Sequence, residues 1–310
     1  MLPKYSILAS LLLALLVAGV TPSTLAQKTT KPEKVYTGTP VLWNEPTDLE
    51  SRNLILGAGG EQMKPDTSRV VFIEDKTGGF SKKYRVRDGR GNEWVAKVGK
   101  EAQTDTAANR LVWALGYETE VAYLIPKLTI QGKGSFENVR MEARPDAIKR
   151  NGNWLWATNP FIGKPEFQGL KILMVMLNNW DIKDDNNEIL ATKADTAAPL
   201  RYIISDLGAT FGKTGGFMSR SRNDPDDYAK QAFIERVNGE NIIFKYSGKE
   251  QKLFAGLTKT DARWLNKLLS RLSDEQIRDA FRSANYSSEE VENLTTAFKT
   301  RRAALAAAAN

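Results

Sequence analysis

Part-way along this chain the hydrophobic period changes, and that change restricts the fold more than any other feature. From Arg69 to Val98 the apolar residues come in short β-rich runs broken by glycine turns. Val70-Val71-Phe72-Ile73 is followed by the turn Thr77-Gly78-Gly79, then Tyr84-Arg85-Val86-Arg87, then Asp88-Gly89-Arg90-Gly91-Asn92, then Trp94-Val95-Ala96-Lys97-Val98. Such runs between turn residues predict three strands of an antiparallel meander. At Glu101 the period lengthens: Ala107, Ala108, Leu111, Val112 and Leu115 fall on one face of a helix. Strand-like stretches follow at 121–130 and 136–144, then a helix opened by Pro165, whose fixed φ suits a first turn, and running through Phe167, Leu170, Leu173, Met174 and Leu177. Tyr202-Ile203-Ile204 is a further strand, 206–228 is rich in glycine and charge, and Asn238-Gly239 marks a hairpin. The last third is helical, with Trp264, Leu265, Leu268, Leu269 and Leu272 on one face and capping-box patterns at Ser273-x-x-Gln276 and Ser287-x-x-Glu290. The expected architecture is α+β in two lobes, strand-rich over 51–145 and mainly helical over 146–310.

Residues 1–26 read as an export signal. Lys4 supplies the positive start, Ile7 to Val20 the apolar run, and Thr24-Leu25-Ala26 the small residues before a cut ahead of Gln27. The run is short for a spanning helix. An uncleaved signal is therefore the one membrane attachment expected, and the body is expected to be periplasmic or secreted. Residues 27–50 follow as a polar, proline-containing tether.

The chain has no Cys and no His. That excludes disulfides, thiolate and imidazole metal sites, cysteine nucleophiles and Ser-His-Asp hydrolysis. Acid–base chemistry is left to carboxylates, Lys or Tyr. The formal charge of +7 suits anionic ligands such as phosphates, but the bases are scattered, so no nucleic-acid partner is expected.

The segment with most chemistry is Asn179-Trp180-Asp181-Ile182-Lys183-Asp184-Asp185-Asn186, which contains D-x-K-x-x-N. Directly after an apolar strand stands Asp206-Leu207-Gly208, and far upstream, on a strand, Val95-Ala96-Lys97. With the Gly78-Gly79 turn, the order and spacing of these pieces resemble the protein-kinase-like superfamily, whose signatures are a glycine loop, a V-A-I-K strand, a D-x-K-x-x-N loop and D-F-G. The motif resemblance covers about 69–210 and is similar to atypical members: the spore-coat-protein (CotH-type), toxin–antitoxin (HipA-type) and secretory-pathway kinases.

That resemblance implies a two-lobed kinase-like fold and an ATP- and Mg²⁺-dependent (or Mn²⁺-dependent) phosphotransferase acting on a hydroxyl of a protein, glycan or small molecule. Gly78 and Gly79 would let backbone N–H groups approach phosphates. Lys97 would hold phosphate oxygens, with Asp105 as its carboxylate partner on the following helix and Glu101, one turn earlier, as the rival. Asn186 and Asp206 would ligate the metal. Asp181 would accept the proton of an attacking hydroxyl, and Lys183 would stabilise transferred charge.

The chain departs from the pattern in places. Trp180 stands where protein kinases have the Arg that often receives an activating phosphate, Leu207 replaces the D-F-G Phe, and the interval from Asp181 to Asp206 implies an expanded loop around 188–200. A catalytically silent kinase-like scaffold is the alternative. A carbohydrate-acting enzyme using Asp184 and Asp185 fits poorly, because adjacent side chains point apart. A calcium loop starting at Asp181 fits poorly, with Lys183 at a ligand position, Asn186 in place of the central glycine and Thr192 where a bidentate Glu belongs. The tryptophans read as packing, and Arg220, Arg222, Arg301 and Arg302 as solvated charge, with Arg220 and Arg222 able to meet an acidic substrate.

Overall fold

The computed structural model describes residues 34–77, 81–216 and 218–310. The export signal, the first part of the tether, Gly78 and Gly79 lie outside the described residues. After a short β1 (Pro40–Val41), the predicted strands appear as β2 (Val70–Lys76), β3 (Lys82–Arg87) and β4 (Glu93–Val98), followed by α1 (Glu101–Ala114), β5 (Ala122–Gln131) and β6 (Gly134–Ala143). The meander forms, but it does not stay an open sheet. A parallel pair, Val70 with Ile130 and Val71 with Gln131, closes the order β2-β3-β4-β6-β5 into a barrel.

Strand alternation sets what faces what. Trp94 and Ala96 of β4 and Val139 and Met141 of β6 point into the barrel and are buried there with Val86 and Ile130. The intervening residues point the other way. Register pairs Val95 with Glu142 and Lys97 with Arg140, so two lysine- and arginine-bearing positions lie side by side on the outer face toward α1.

The rest of the chain builds the second lobe: β7 (Ile148–Arg150), α2 (Pro165–Met176), β8 (Asn187–Thr192), β9 (Leu200–Ile204), α3 (Pro225–Lys230), β10 (Ile234–Asn238), β11 (Asn241–Phe244), α4 (Lys259–Leu269), α5 (Asp274–Arg282) and α6 (Ser288–Ala308). Both expected capping boxes form reciprocally. So does a third, Thr258 with Asp261, that opens α4. Among the described residues no helix is long and apolar enough to cross a membrane.

Three expectations need correction. The tether expected over 27–50 gives way to packed chain well before 50: β1 pairs with β9, and Leu42 and Leu49 are buried in the helical-lobe core. Those isolated apolar anchors are hidden in a polar segment, and only the tertiary partner reveals them. The loop expected around 188–200 is instead the β8–β9 hairpin, part of a four-stranded sheet β1-β9-β8-β7. Arg301 is not solvated. Its guanidinium is buried and donates to Asn178 Oδ1 and to the Tyr228 and Gln231 carbonyls at 2.9–3.0 Å, which satisfies a charge that could not otherwise be buried. Arg302 likewise donates to the Leu272 carbonyl at 2.8 Å.

Candidate functional site

The site is built from four pieces of chain brought to one cleft. β4 delivers Lys97, α1 delivers Glu101 and Asp105, the turn after α2 carries Asp181 to Asn186, and the end of β9 leads into Asp206. Lys97 is almost wholly buried, and its ammonium is 2.9 Å from Asp206 Oδ1, 3.2 Å from Asp105 Oδ2 and 3.3 Å from Glu101 Oε2. Burial opposes the charge, but the carboxylates of Asp105 and Asp206 outweigh it and hold the lysine protonated above its ordinary range. At Asp206 burial again favours the neutral acid, and Lys97 overrides it, holding the carboxyl below its ordinary value. Both candidate partners on α1 therefore meet Lys97.

Asp105 does more than pair the lysine. Its other oxygen accepts the Leu207 N–H at 3.2 Å, and Oδ2 also lies 3.6 Å from the Arg140 guanidinium. One carboxylate thus compensates two cations held adjacent by β-register and ties α1 to the segment after Asp206. Gly208 allows that approach: a Cβ there would lie 2.8 Å from Glu101 Cβ and 3.2 Å from Lys97 Nζ.

The D-x-K-x-x-N segment folds on itself. Residues Asp184–Asn186 form a 3₁₀ turn, which lets the Asn186 amide donate to the Asp181 carbonyl at 2.9 Å and turns its oxygen away from that bond. A cavity of about 260 Å³ is lined by Lys97, Asp105, Lys183, Asn186 and Asp206 together with Glu142. Asp181 is not among its lining residues. It is joined to the cavity through Asn186 and through Lys183, whose ammonium is 3.5 Å from Asp181 Oδ2.

Sequence reasoning missed a buried ionic web next to Lys97. Arg140 is fully buried and pairs with Glu142, which also meets Arg144 and Arg150; Arg150 continues to Glu120 at 2.7 Å and to Glu188 on β8. The web spans the crossing from β6 to β7 and so links the two lobes. Glu120 is pushed up to about 7 by burial and by the neighbouring Glu142 charge, against the pull of Arg144 and Arg150. Burial works the same way on Glu142, but Arg144, Arg140 and Arg150 prevail and hold it well below the ordinary carboxylate range. The available signal was the polar face of β6, where Arg140 and Glu142 alternate with Val139, Met141 and Ala143; on a single strand that reads as a solvated edge.

Trp180 also has a role beyond packing. Its indole N–H donates to the Ser221 carbonyl at 2.7 Å, and the Arg220 and Arg222 guanidiniums stack over its ring at 4.1 and 4.6 Å. Arg222 further pairs with Glu101. The segment after Asp206 is thereby fastened to both α1 and the Asp181 loop.

A β-barrel lobe with one helix against its outer face, joined to a helical lobe that carries a polar loop and a strand-end aspartate, is the two-lobed fold of protein kinases. The crystal structure of the Helicobacter pylori proinflammatory kinase CtkA shares this fold, with a TM-score of 0.51 at 14% identity over 79% of this chain and 96% of that one. Less similar are the Rio2 kinase from Chaetomium thermophilum in complex with ADP, Mg²⁺ and phosphoaspartate (TM-score 0.31, 14% identity, 77% of this chain, 72% of that one) and the Golgi casein kinase (0.35, 10%, 83%, 78%). No protein-family model and no curated protein sequence matches this chain.

Proposed function

We propose that this protein is an exported, ATP- and Mg²⁺-dependent phosphotransferase of atypical kinase type that modifies a hydroxyl group. One observation carries the reading: a buried, charged Lys97 bridges Asp206 and the α1 carboxylates at the wall of a cavity that also receives Lys183 and Asn186. Phosphoryl transfer is mostly positioning and charge stabilisation, and a fixed ammonium beside oxygen donors supplies both. The donor chemistry fits Mg²⁺. Among the described residues no group of three or more His, Cys, Asp or Glu is placed to hold a metal, but Mg²⁺ is commonly held by one or two protein oxygens plus phosphates and water. Asp206, with Oδ1 on Lys97, and Asn186, with its amide nitrogen on Asp181, each keep an oxygen for that role. Bound there, the metal would neutralise phosphate charge.

The test is transfer of labelled γ-phosphate from ATP with Mg²⁺. Asp206→Ala is expected to abolish it, and Asp181→Ala to lower it by about 10²-fold or more. Signal cleavage is checked separately by sequencing the mature N-terminus, expected at Gln27, and export by fractionation of the producing cells; recovery of the protein in the cytoplasm with Lys4 retained would contradict export.

A second reading has its own support. The cavity, at about 260 Å³, is at the small end for a nucleotide, and Glu142, Arg144 and Glu188 crowd one side of it. A catalytically silent kinase-like binding module would look like this. Mg·ATP at 100 times its dissociation constant should stabilise an occupied site by about 2.7 kcal/mol; no shift in thermal midpoint would favour the silent module.

A further inference from the structure

The residues from Tyr246 to Glu250 lie across the Asp181 loop and are fixed to it. The Tyr246 hydroxyl sits between the Asn179 and Lys249 carbonyls at 2.9 and 3.1 Å, and the Lys249 N–H donates to the Trp180 carbonyl at 3.0 Å. Gly248 lets the backbones come that close: a Cβ there would stand 2.9 Å from the Trp180 carbonyl oxygen. The consequence is at the side chain. Lys249 Nζ lies 2.6 Å from Asp181 Oδ1, while Lys183 Nζ lies 3.5 Å from Oδ2. Each oxygen of this carboxylate faces an ammonium group.

An acceptor hydroxyl that reacts here must bring its proton to one of those oxygens. In the step, a bond forms between the acceptor oxygen and the γ-phosphorus. The bond from that phosphorus to the β–γ bridging oxygen breaks, ADP leaves, and the hydroxyl proton passes to Asp181. Oδ1 can receive that proton only when Lys249 gives way. The lysine side chain is about half exposed (48%), on a stem free to swing, whereas its backbone is held. What draws an ammonium off one carboxylate is another anion.

The surroundings have the same sign. An open groove of about 710 Å³ beside Trp180 is lined by Lys82, Lys100, Arg220 and Arg222, with Glu101 and Asp224 as its acids. A groove of this size, reached by cations from several segments, suits an extended acidic chain better than a compact anion. We propose that Lys249 is a gate over Asp181, opened by an acidic polypeptide acceptor whose carboxylate, beside the target hydroxyl, takes the lysine over. This rests on the reading of Asp181 as the group that accepts the hydroxyl proton.

The experiment uses the full mature chain with serine peptides flanked by Glu, by Ala or by Lys, and with glycerol 3-phosphate as a small anionic acceptor. Hydrolysis of Mg·ATP, in which water is the acceptor, is followed in parallel. The wild type is expected to use the Glu-flanked peptide at least ten-fold better, by kcat/KM, than the Ala-flanked one. Lys249→Met should bring that ratio near one and raise ATP hydrolysis several-fold, and Lys249→Arg should restore the ratio. An unchanged ratio in Lys249→Met, with its thermal midpoint and nucleotide-induced shift intact, overturns the gate and leaves the phosphotransferase reading standing. Preference for glycerol 3-phosphate over every peptide overturns the polypeptide acceptor. A wild type that neither binds nor hydrolyses Mg·ATP removes both readings together.

Discussion

The two ends of the cleft solve opposite electrostatic problems. Around Lys97, one cation is surrounded by three carboxylates and is almost entirely withdrawn from water, its side chain 4% exposed. Around Asp181, one carboxylate lies between two ammonium groups whose side chains are 36% and 48% exposed. The comparison separates framework from moving parts. A buried ion pair that loses a partner leaves an uncompensated charge in a poorly polarisable interior, whereas an exposed pair is screened and exchanges with water at little cost. The Lys97 cluster therefore fixes geometry, and the Asp181 cluster is where ligands can rearrange charge.

Replacing the central group at the buried end gives the largest expected effect. Lys97→Met should destabilise the fold by about 3–5 kcal/mol, because Asp105 and Asp206 lose their shared counter-ion; urea unfolding measures it, and a loss under about 1 kcal/mol would erase the contrast. Next is the ionic web behind Lys97, read through pH. Glu120 titrates near 4.5 when unfolded and at about 7 in the fold, so its contribution is complete below pH 4.5 and is lost as pH rises through 7. At about 1.4 kcal/mol per pKa unit, that is a decline of about 3 kcal/mol across the window. Glu120→Gln should remove this decline, and stability profiles of the two proteins that run parallel from pH 4.5 to 7.5 would refute the assignment.

Smaller again is Gly208→Ala. Its methyl group would meet Glu101 Cβ at 2.8 Å, forcing α1 outward at a cost of about 1–3 kcal/mol and weakening nucleotide binding through Lys97. A variant with wild-type stability and nucleotide affinity would show that the close approach is dispensable. The smallest effect is expected at the exposed end: Lys249→Met should change stability by less than about 1 kcal/mol. A larger loss by urea unfolding would place Lys249 with the framework.

Much of this was legible from sequence, for a physical reason. Lys97, Asp181, Asn186 and Asp206 are singled out by the order and spacing of motifs that resemble the kinase-like superfamily, and the structure brings Lys97, Asn186 and Asp206 to one cavity with Asp181 just outside its lining. Asp105 comes from the likeness of its helix to that of the toxin–antitoxin kinases and Glu101 from lying one turn earlier on the same face, and the structure makes the choice between them unnecessary, since both reach Lys97. What could not be read depends on pairing between distant segments. The parallel β2–β5 pair that closes the barrel, the β1–β9 contact that removes most of the supposed tether, and the meeting of Arg140, Glu142, Arg150 and Glu120 require register across strands. Lys249 is the plainest case. Nothing in Ser247-Gly248-Lys249-Glu250 distinguishes it from a surface turn, and only the fold carries it to Asp181. Gly78 and Gly79, a short glycine turn without the G-x-G-x-x-G spacing of a kinase phosphate loop, lie outside the described residues.

The most direct test is a crystal structure with Mg²⁺ and a non-hydrolysable ATP analogue. The account predicts phosphate oxygens within hydrogen-bonding distance of Lys97, the metal on Asp206 and Asn186, and the γ-phosphate turned toward Asp181. Phosphates bound elsewhere, with the contacts from Lys97 to Asp105 and Asp206 unchanged, would contradict it.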